Sequence, residues 1–374
     1  MTDRSRRRFL GVAGSGAIAA AFGGTFLTNS RIAGAQSVNT VRWGIVGTGG
    51  IANSMAQMIK LADASEIGAV SSRRMESARE FADKHSIPNT YDSWQEMIDS
   101  DDVDAIYVAT PTSVREEICI AAASGGKHVL GEKPFASLPS VRRITEACRD
   151  NNVAFMDGTH FVHHPRTLDI NKNREERLGW VWSVASAFQF NLEDRGNIRF
   201  NPELEPMGAI GDAGWYNMRA AVEYLPPGIR LETVSAHLRR DGETGATIGG
   251  TGVLEFDDGS TSTWNCGFDS GAVVMDLRIT GDNGVININD FLSQNRDRSA
   301  DFLYRTGGWG PGSISETINI ASDKPGAALM FEDMAAAAAN PALREQWMTA
   351  TERTQALLDA IWIAALNNED VNDT

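Results

Sequence analysis

One short segment, Gly47-Thr48-Gly49-Gly50-Ile51-Ala52, constrains the fold of this chain more than any other. It follows an apolar run at 41–46 that predicts a β-strand, and it opens an amphipathic pattern at 51–61 that predicts a helix. A Gly-x-Gly-x-x-Ala turn in this setting is typical of a dinucleotide-binding site. Gly47 permits the tight turn, Gly49 lets the backbone approach a pyrophosphate, and the helix N-terminus attracts the negative charge.

Strand and helix patterns alternate in the first part of the chain and change in the second. The alternation predicts a Rossmann-type α/β domain at 41–157, with a parallel sheet and helices on both faces. Beyond it, short strands with tight turns predict an α+β domain at 158–340 with an open, predominantly antiparallel sheet. A helix at 341–367 is expected to pack back on the first domain. The other predicted elements are strands at 66–71, 103–109, 128–130, 153–156, 180–190, 230–238, 247–256, 260–268, 272–280 and 285–288, and helices at 75–85, 94–98, 113–124, 139–150, 212–224 and 327–339.

The N-terminal residues match a twin-arginine export signal, Ser5-Arg6-Arg7-Arg8-Phe9-Leu10. An apolar stretch rich in Gly and Ala follows at 11–27, and Ala33-Gly34-Ala35 offers a small-residue cleavage site. A membrane anchor is the alternative, but Gly and Ala are weakly hydrophobic, and a span normally needs ~20 strongly apolar residues. We therefore expect residues 1–35 to be a cleaved signal. The protein is then exported folded to the periplasm or another extracytoplasmic compartment, with no stable membrane span in its mature form.

Composition excludes some partners. With 374 residues, of which 42% are hydrophobic and 22% charged, the chain has an ordinary globular composition. Its net charge of −15 argues against nucleic acid as a partner, because no basic patch is dense enough to neutralise a phosphate backbone. The cysteines, Cys119, Cys148 and Cys266, are scattered and form no CxxC motif, so we expect buried, inert thiols.

The end of the second predicted strand indicates which dinucleotide binds. In this fold an acidic residue there bonds the ribose 2′-hydroxyl of NAD, whereas an arginine accommodates the 2′-phosphate of NADP. Here the strand ends in Ser72-Arg73, with no carboxylate. A solvated basic pair, Arg73-Arg74, is the alternative, but a helix N-terminus disfavours cations unless an anion lies nearby. The sequence favours NADP.

A lysine follows the fourth predicted strand, in Glu132-Lys133-Pro134. The carboxyl end of a parallel strand faces the crevice where ligands bind. An ammonium there is expected to contact the nicotinamide ribose and a substrate hydroxyl, and to hold a neighbouring acid in its deprotonated form. The alternative is an ordinary loop residue.

A carboxylate and a phenol, Asp212 and Tyr216, stand four residues apart in the predicted helix of the second domain. This spacing places both on one helical face, where they can hold one sugar hydroxyl and exchange its proton. Two alternatives remain open: Asp212 is a helix N-cap, and Tyr216 is a core residue.

Three histidines, His160, His163 and His164, lie close together in the sequence. No HExxH pattern and no nearby CxxC accompanies them, so no metal site is expected. A place in the substrate pocket for His160 and His163, or simple packing, is the better interpretation.

Together these segments resemble the Gfo/Idh/MocA oxidoreductases, in particular the branch that contains glucose–fructose oxidoreductase and exported bacterial aldose–aldose oxidoreductases. The resemblance rests on motifs spread from residue 41 to the C-terminal helix. They are Gly47-Thr48-Gly49-Gly50-Ile51-Ala52, Ala109-Thr110-Pro111, Glu132-Lys133-Pro134, Met156-Asp157-Gly158-Thr159, His163-His164-Pro165-Arg166-Thr167 and Gly211-Asp212-Ala213-Gly214-Trp215-Tyr216.

The resemblance implies a Rossmann domain followed by an open-faced sheet domain that often forms homo-oligomers. It implies that Lys133, Asp212 and Tyr216 carry catalysis. The residues that it assigns to the cofactor are Gly47, Thr48, Gly49, Gly50, Ile51, Ser72, Arg73, Thr110, Pro111, Glu132 and Lys133. One departure is Arg115, which stands where many members have His after the Thr-Pro motif.

The function that this sequence predicts is an NADP-dependent sugar oxidoreductase. Tightly bound NADP would transfer a hydride from an aldose to the carbonyl of a second sugar, with Tyr216 as general base and then acid. Lys133 would lower the pKa of that phenol. One alternative is an ordinary NAD(P)-dependent sugar or polyol dehydrogenase with an exchangeable cofactor. Another is a sensor that binds a sugar or nucleotide without catalysis, but a sensor needs no proton acceptor.

The export signal makes a direct prediction. Replacing both Arg6 and Arg7 with Lys should strand active, cofactor-loaded protein in the cytoplasm, because the twin-arginine pair is the recognised feature. Cell fractionation with an activity assay measures this, and replacing Arg4 with Lys is the control. If the doubly substituted protein still reaches the exterior, the assignment of the signal is wrong.

Overall fold

Two sheets organise this computed structural model, which describes residues 40–292, 299–310 and 312–372. The predicted signal, residues 1–35, lies outside the described residues. Within the described part of the chain, no helix combines the length and apolar character that a membrane crossing requires.

The first sheet has six parallel strands, and helices connect them. The strands are β1 (Val41–Val46), β2 (Ser65–Ser71), β3 (Asn89–Tyr91), β4 (Ala105–Val108), β5 (His128–Gly131) and β6 (Phe155–Asp157). The helices are α1 (Gly50–Leu61), α2 (Met75–His85), α3 (Trp94–Asp99), α4 (Thr112–Ser124) and α5 (Leu138–Asp150). The order is β3-β2-β1-β4-β5-β6, so the chain reverses its direction of winding between β1 and β4. Such a reversal opens the crevice in which this kind of sheet binds ligands.

The second sheet has eight strands and follows a short helical segment. That segment comprises a 3₁₀ turn (His160–His163), α6 (Pro165–Lys172) and α7 (Arg174–Arg177). The strands are β7 (Val181–Asn191), β8 (Leu231–Arg240), β9 (Thr247–Phe256), β10 (Thr261–Gly267), β11 (Asp269–Gly281), β12 (Val285–Ile288), β13 (Ala300–Thr306) and β14 (Ile314–Ile320). Their order is β14-β13-β12-β11-β7-β10-β9-β8, and β7 pairs with β10 in parallel while the other neighbours are antiparallel.

Helix α8 (Trp215–Tyr224) covers one face of this sheet, and a π-helical turn (Ile210–Gly214) precedes it. The opposite face exposes short polar side chains such as Thr251 and Thr263. The predicted fold class, a parallel Rossmann domain plus an α+β domain with an open, predominantly antiparallel sheet, is confirmed. The predicted assembly of homo-oligomers through the open face stays a prediction.

Several elements differ from their prediction. The sequence did not predict β3, β13 or β14, because β3 has only three residues and β14 alternates weakly and lies exposed at the sheet edge. The helix predicted at 212–224 instead begins with the π turn, which the spacing of apolar residues does not reveal.

The C-terminal helix joins the two sheets. Helices α9 (Gly326–Ala339) and α10 (Pro341–Asn372) return the chain to the first domain, where α10 packs on α5 and β6. The Gln355 Oε1 atom accepts a hydrogen bond from the Phe135 amide at 3.2 Å, and the Asp359 Oδ2 atom accepts one from the Leu138 amide at 2.6 Å. α10 therefore fixes the loop that follows β5.

A buried ion pair lies where β6, α8 and α10 meet. The Arg219 guanidinium donates to the Asp157 Oδ2 atom at 2.7 Å, and each residue is 1% exposed. The Thr351 hydroxyl also donates to this oxygen, and Thr159 donates to the other one through its amide and its hydroxyl. Burial opposes the charge of Asp157, but Arg219 and these hydrogen bonds outweigh it, so the pKa of this carboxyl is lowered.

Removing the cation of this pair should destabilise the protein. Arg219→Met leaves the Asp157 carboxylate buried without its counter-charge, and we expect a loss of about 3–5 kcal/mol in the free energy of unfolding. Denaturant unfolding measures it. The matched control is Arg143→Met, which breaks the exposed pair with Glu116 and should cost far less. Equal losses in the two variants would contradict this account of the buried pair.

Candidate active site

The glycine turn between β1 and α1 has the shape that a pyrophosphate needs. Gly47 has a φ of +105°, and a Cβ there would come within 2.7 Å of the Ala109 carbonyl oxygen, so only glycine fits. A Cβ on Gly49 or Gly50 would meet nothing within 4 Å, which leaves open space before the first amides of α1. The turn therefore suits a dinucleotide, because its backbone is accessible and the positive end of α1 points into the open space.

Ser72 and Arg73, the predicted 2′-phosphate pair, follow the end of β2 next to this turn. The Gly47 amide donates to the Ser71 carbonyl oxygen at 2.9 Å, which joins the turn to the end of β2. Ser72 is half-buried and Arg73 is exposed just before α2. The Arg73 side chain is therefore exposed to solvent at this end of the sheet. Thr48 lies in the same turn, and Ile51 is exposed at the start of α1.

Thr110 and Pro111 follow β4, and Arg115 holds this loop against the loop after β5. The Arg115 guanidinium is buried in α4 and donates to the carbonyl oxygens of Thr110 and Pro134. Arg115 therefore has a local structural role in tying together two loops that carry predicted cofactor residues.

Glu132 is a buried residue. It is 5% exposed, and its Oε1 atom accepts a hydrogen bond from the Tyr107 hydroxyl at 2.6 Å. Burial raises the pKa of this carboxyl above its usual value, although Lys133 and Tyr107 act in the opposite direction. Glu132 is one of the predicted cofactor residues, and its carboxylate lies against β4 inside the first domain.

The structure brings together Lys133, Asp212 and Tyr216, which come from the two different domains. The Lys133 Nζ atom lies 2.7 Å from the Asp212 Oδ1 atom and 3.1 Å from the Asp212 carbonyl oxygen. The same Nζ atom is 4.8 Å from the centre of the Tyr216 ring. The Lys133 and Asp212 side chains are only 9% and 12% exposed, so water screens their charges weakly. Asp212 lies in the π turn and does not cap α8, whose N-cap is Gly214.

A second cation, Arg199, contacts the same carboxylate. Its Nε atom donates to the Asp212 Oδ2 atom at 2.8 Å, and its Nη2 atom donates to Oδ1 at 3.1 Å. Sequence reasoning missed Arg199, which comes from a 3₁₀ turn (Ile198–Phe200) between β7 and the π turn. It belongs to no motif, and a residue pair thirteen positions apart carries no helical or strand periodicity.

Charge and burial set the protonation states of this cluster. Burial opposes the ionised form of Asp212, but Lys133 and Arg199 outweigh it and hold the pKa of that carboxyl well below its usual range. Burial likewise opposes the charge of Lys133, but Asp212 outweighs it, and the lysine pKa is raised. Lys133 and Asp212 therefore form a permanent ion pair at neutral pH.

Burial has the largest effect on the pKa of the Tyr216 phenol. Burial raises its pKa to about 12, and Lys133 counters this effect only in part. Lys133 acts in the predicted direction on the tyrosine pKa, and burial has the larger effect. Tyr216 rests in its protonated form, which suits a proton donor, and the cation beside it favours the tyrosinate whenever the proton leaves.

The two predicted substrate histidines separate in the structure. The His160 ring lies 5.7 Å from the Tyr216 ring, centre to centre, and burial lowers the pKa of His160 to about 3, so it is neutral. His163 instead hydrogen-bonds the Asp333 Oδ2 atom at 2.7 Å and packs against Trp347, on the side of α9 and α10. Of the two, only His160 is placed beside Tyr216. Among the residues that the structure describes, no group of three His, Cys, Asp or Glu side chains is arranged to hold a metal.

The chain matches two family models, one in each domain. Residues 41–159 match the model described as "Oxidoreductase family, NAD-binding Rossmann fold", and residues 173–287 match the GFO/IDH/MocA C-terminal domain. The relative D-xylose 1-dehydrogenase (NADP(+)) 2 of Haloferax volcanii is 31% identical over 268 residues, which cover 71% of this chain and 81% of that protein.

Solved structures show the same fold at lower identity. KijD10, a 3-ketoreductase from Actinomadura kijaniata in complex with NADP and TDP-benzene, superposes with a TM-score of 0.78 at 24% identity, covering 87% of this chain and 98% of that one. The aldose-aldose oxidoreductase from Caulobacter crescentus, complexed with glycerol, gives a TM-score of 0.77 at 21% identity, covering 88% and 98%. The motifs, the two-domain fold and these matches agree: the chain belongs to the Gfo/Idh/MocA family of oxidoreductases.

Proposed function

We propose that this protein is an NADP-dependent sugar oxidoreductase that works outside the cytoplasm. The observation that carries the proposal is the buried Lys133–Asp212 ion pair beside the Tyr216 phenol. It stands at the carboxyl end of β5, on the edge of the sheet where the glycine turn opens. Oxidation of an alcohol or reduction of a carbonyl requires a proton-transfer group next to a dinucleotide cofactor. This crevice combines such a group with a turn that suits a dinucleotide.

NADP is the cofactor that the residues and the relatives favour. The backbone of 47–51 would hold the pyrophosphate, and Ser72 and Arg73 would hold the 2′-phosphate. The H. volcanii relative carries NADP(+) in its name, and KijD10 was solved with NADP. When bound, NADP supplies the hydride acceptor or donor.

The protein's own contribution is to position the sugar and move one proton. During reduction the Tyr216 phenol would give its proton to the sugar oxygen and become a tyrosinate. During oxidation the tyrosinate, formed after the phenol has lost its own proton to solvent, would accept the proton of the sugar hydroxyl. Lys133 would stabilise the tyrosinate, since its ammonium lies 4.8 Å from the ring. Asp212 would keep the ammonium charged and fixed, and the low exposure of the pair would keep water from screening it.

The finer proposal is that NADP stays bound while one aldose is oxidised and a second sugar is reduced. The predicted twin-arginine signal supports it, because free NADP is scarce outside the cytoplasm. The name of the C. crescentus neighbour points the same way. The second candidate is an aldose dehydrogenase with exchangeable NADP, which the name of the H. volcanii relative favours.

The ultraviolet spectrum of protein purified from the exported fraction separates these candidates. Retained NADP should survive gel filtration, an aldose should produce the reduced-nicotinamide absorbance without added cofactor, and a second sugar should abolish it. Turnover that depends wholly on added NADP supports the dehydrogenase. A protein that binds NADP but is not reduced by any aldose contradicts both.

Arg73 tests the choice of cofactor. Arg73→Ala should weaken NADP binding roughly ten-fold while leaving NAD binding nearly unchanged, because it removes a charge-assisted contact to the 2′-phosphate. Titration calorimetry on cofactor-stripped protein measures both affinities. Arg79→Ala, on the exposed surface of α2, controls for loss of charge. Equal losses of affinity for NADP and NAD would show that Arg73 does not contact the 2′-phosphate.

Tyr216 tests the proton transfer. Tyr216→Phe keeps the ring and removes the hydroxyl, so single-turnover reduction of bound NADP by an aldose should slow by roughly 10²–10⁴-fold while NADP binding is kept. Tyr224→Phe is the matched control, because Tyr224 is buried in the same helix and its hydroxyl bonds Thr167 instead. Near-normal hydride transfer in Tyr216→Phe would show that Tyr216 only packs in the site and does not transfer the proton.

A further inference from the structure

Two positively charged side chains contact the single carboxylate of Asp212. Lys133 contacts its Oδ1 atom, and Arg199 contacts both of its oxygens through Nε and Nη2. A lysine paired with one carboxylate has little net charge, so the pair has a weak electrostatic effect on a neighbouring group. With Arg199 in place, the three contacting side chains carry a net positive charge next to Tyr216.

Arg199 is held in this position by its own segment. The Asn197 side chain accepts a hydrogen bond from the Arg199 amide at 3.1 Å and so caps the 3₁₀ turn. Phe200, on the other side, packs on Phe268 with ring centres 6.3 Å apart. Further along, the Glu205 carboxylate accepts hydrogen bonds from the Thr112 amide and hydroxyl at 3.0 and 2.7 Å. These contacts place the guanidinium before any substrate arrives.

We propose that Arg199 is a positioning residue for the proton transfer, which fixes the Asp212 carboxylate through two hydrogen bonds and leaves the charge of Lys133 available to Tyr216. This inference rests on the proposed function and deepens it. The fork of a guanidinium matches the two oxygens of a carboxylate, so it sets the orientation of Asp212 as well as its charge. Lys133 can then interact with the tyrosinate while it keeps its contact with Asp212.

The other groups around Tyr216 do not supply this charge. His160 is neutral, and Tyr107 is a protonated phenol bonded to Glu132. Glu132 and Asp212 both raise the pKa of Tyr216, whereas Lys133 and Arg199 lower it. Arg199 is therefore one of two cations that favour the tyrosinate, and removing it should leave Lys133 largely neutralised by Asp212.

The alternative is that Arg199 only holds its loop in place. A direct measurement of ionisation at residue 216 distinguishes the two roles. Difluorotyrosine at position 216 brings the phenol's ionisation into a range where the protein stays folded, and fluorine NMR follows it without any turnover. Arg199→Gln should raise the pKa of this residue by on the order of one unit, since it removes a nearby charge in a weakly screened site.

Arg195→Gln is the matched control. Arg195 lies in the same segment and forms an ion pair with Asp241 at 2.9 Å, away from Asp212. The Arg195→Gln substitution should leave the pKa of residue 216 unchanged. Arg199→Lys keeps the positive charge but not the two parallel donors of the guanidinium. It should therefore return the pKa of residue 216 to the wild-type value, while hydride transfer stays slower than in the wild type. Arg199→Met, which keeps the aliphatic stem, replaces Arg199→Gln if the latter does not fold.

The outcomes separate this inference from the proposed function. An unchanged pKa in the charge-removing variant, in a protein whose wild type reduces NADP with an aldose, overturns only the role of Arg199. A wild type that transfers no hydride from any aldose overturns the proposed function and, with it, this inference. A raised pKa in Arg199→Gln together with an unchanged one in Arg195→Gln supports the inference.

Discussion

The buried contact between Lys133 and Asp212 is the interaction on which the rest of this site depends. It joins the loop after β5 to the π turn before α8, and so connects the nucleotide domain to the second domain at one point. A buried ion pair is weak support for stability, because desolvation offsets most of the attraction between the charges. Its place beside a buried phenol gives it a chemical role: it keeps a fixed, weakly screened cation where a tyrosinate would form.

The fold holds both halves of this pair in position. On one side, Arg115 and α10 fix the loop that carries Lys133, through the Pro134 carbonyl and the Phe135 amide. On the other side, the Trp215 indole donates to the Thr159 hydroxyl at 2.6 Å, which ties the start of α8 to the end of β6. The π turn between these anchors carries Asp212, and such irregular turns are common at functional sites. Positions thus fixed by packing need little rearrangement when a substrate binds.

The sequence was sufficient for the parts of the site that have local signatures. The glycine turn and the Glu-Lys-Pro segment each reflect a local backbone requirement, so they could be recognised without a structure. The four-residue spacing of Asp212 and Tyr216 paired these residues correctly, although Asp212 lies in the π turn and not in a regular helix. The alternation of strands and helices likewise predicted the parallel sheet. These signals are short in range because turns and helix faces are set by neighbouring residues.

The parts that could not be predicted depend on contacts between distant segments. The hydrogen bond from Tyr107 joins β4 to Glu132, which follows β5. Arg199 contacts Asp212 from a separate loop, which hydrogen bonds hold against the start of α4. The net pKa of Tyr216 could not be predicted for a similar reason: it depends on burial, and burial is a property of the whole packed domain. The separation of His163 from His160 also follows from α9 and α10, which come from the far end of the chain.

The most direct test of this account is a double-substitution cycle on the central pair. Single-turnover reduction of bound NADP by an aldose would be measured for the wild type, Lys133→Met, Asp212→Asn and the doubly substituted protein. If the two side chains act as one unit on the Tyr216 proton, each single change slows the reaction and the double change slows it little more than the worse single one. Losses that simply multiply would show that Lys133 and Asp212 act independently, and would contradict the account.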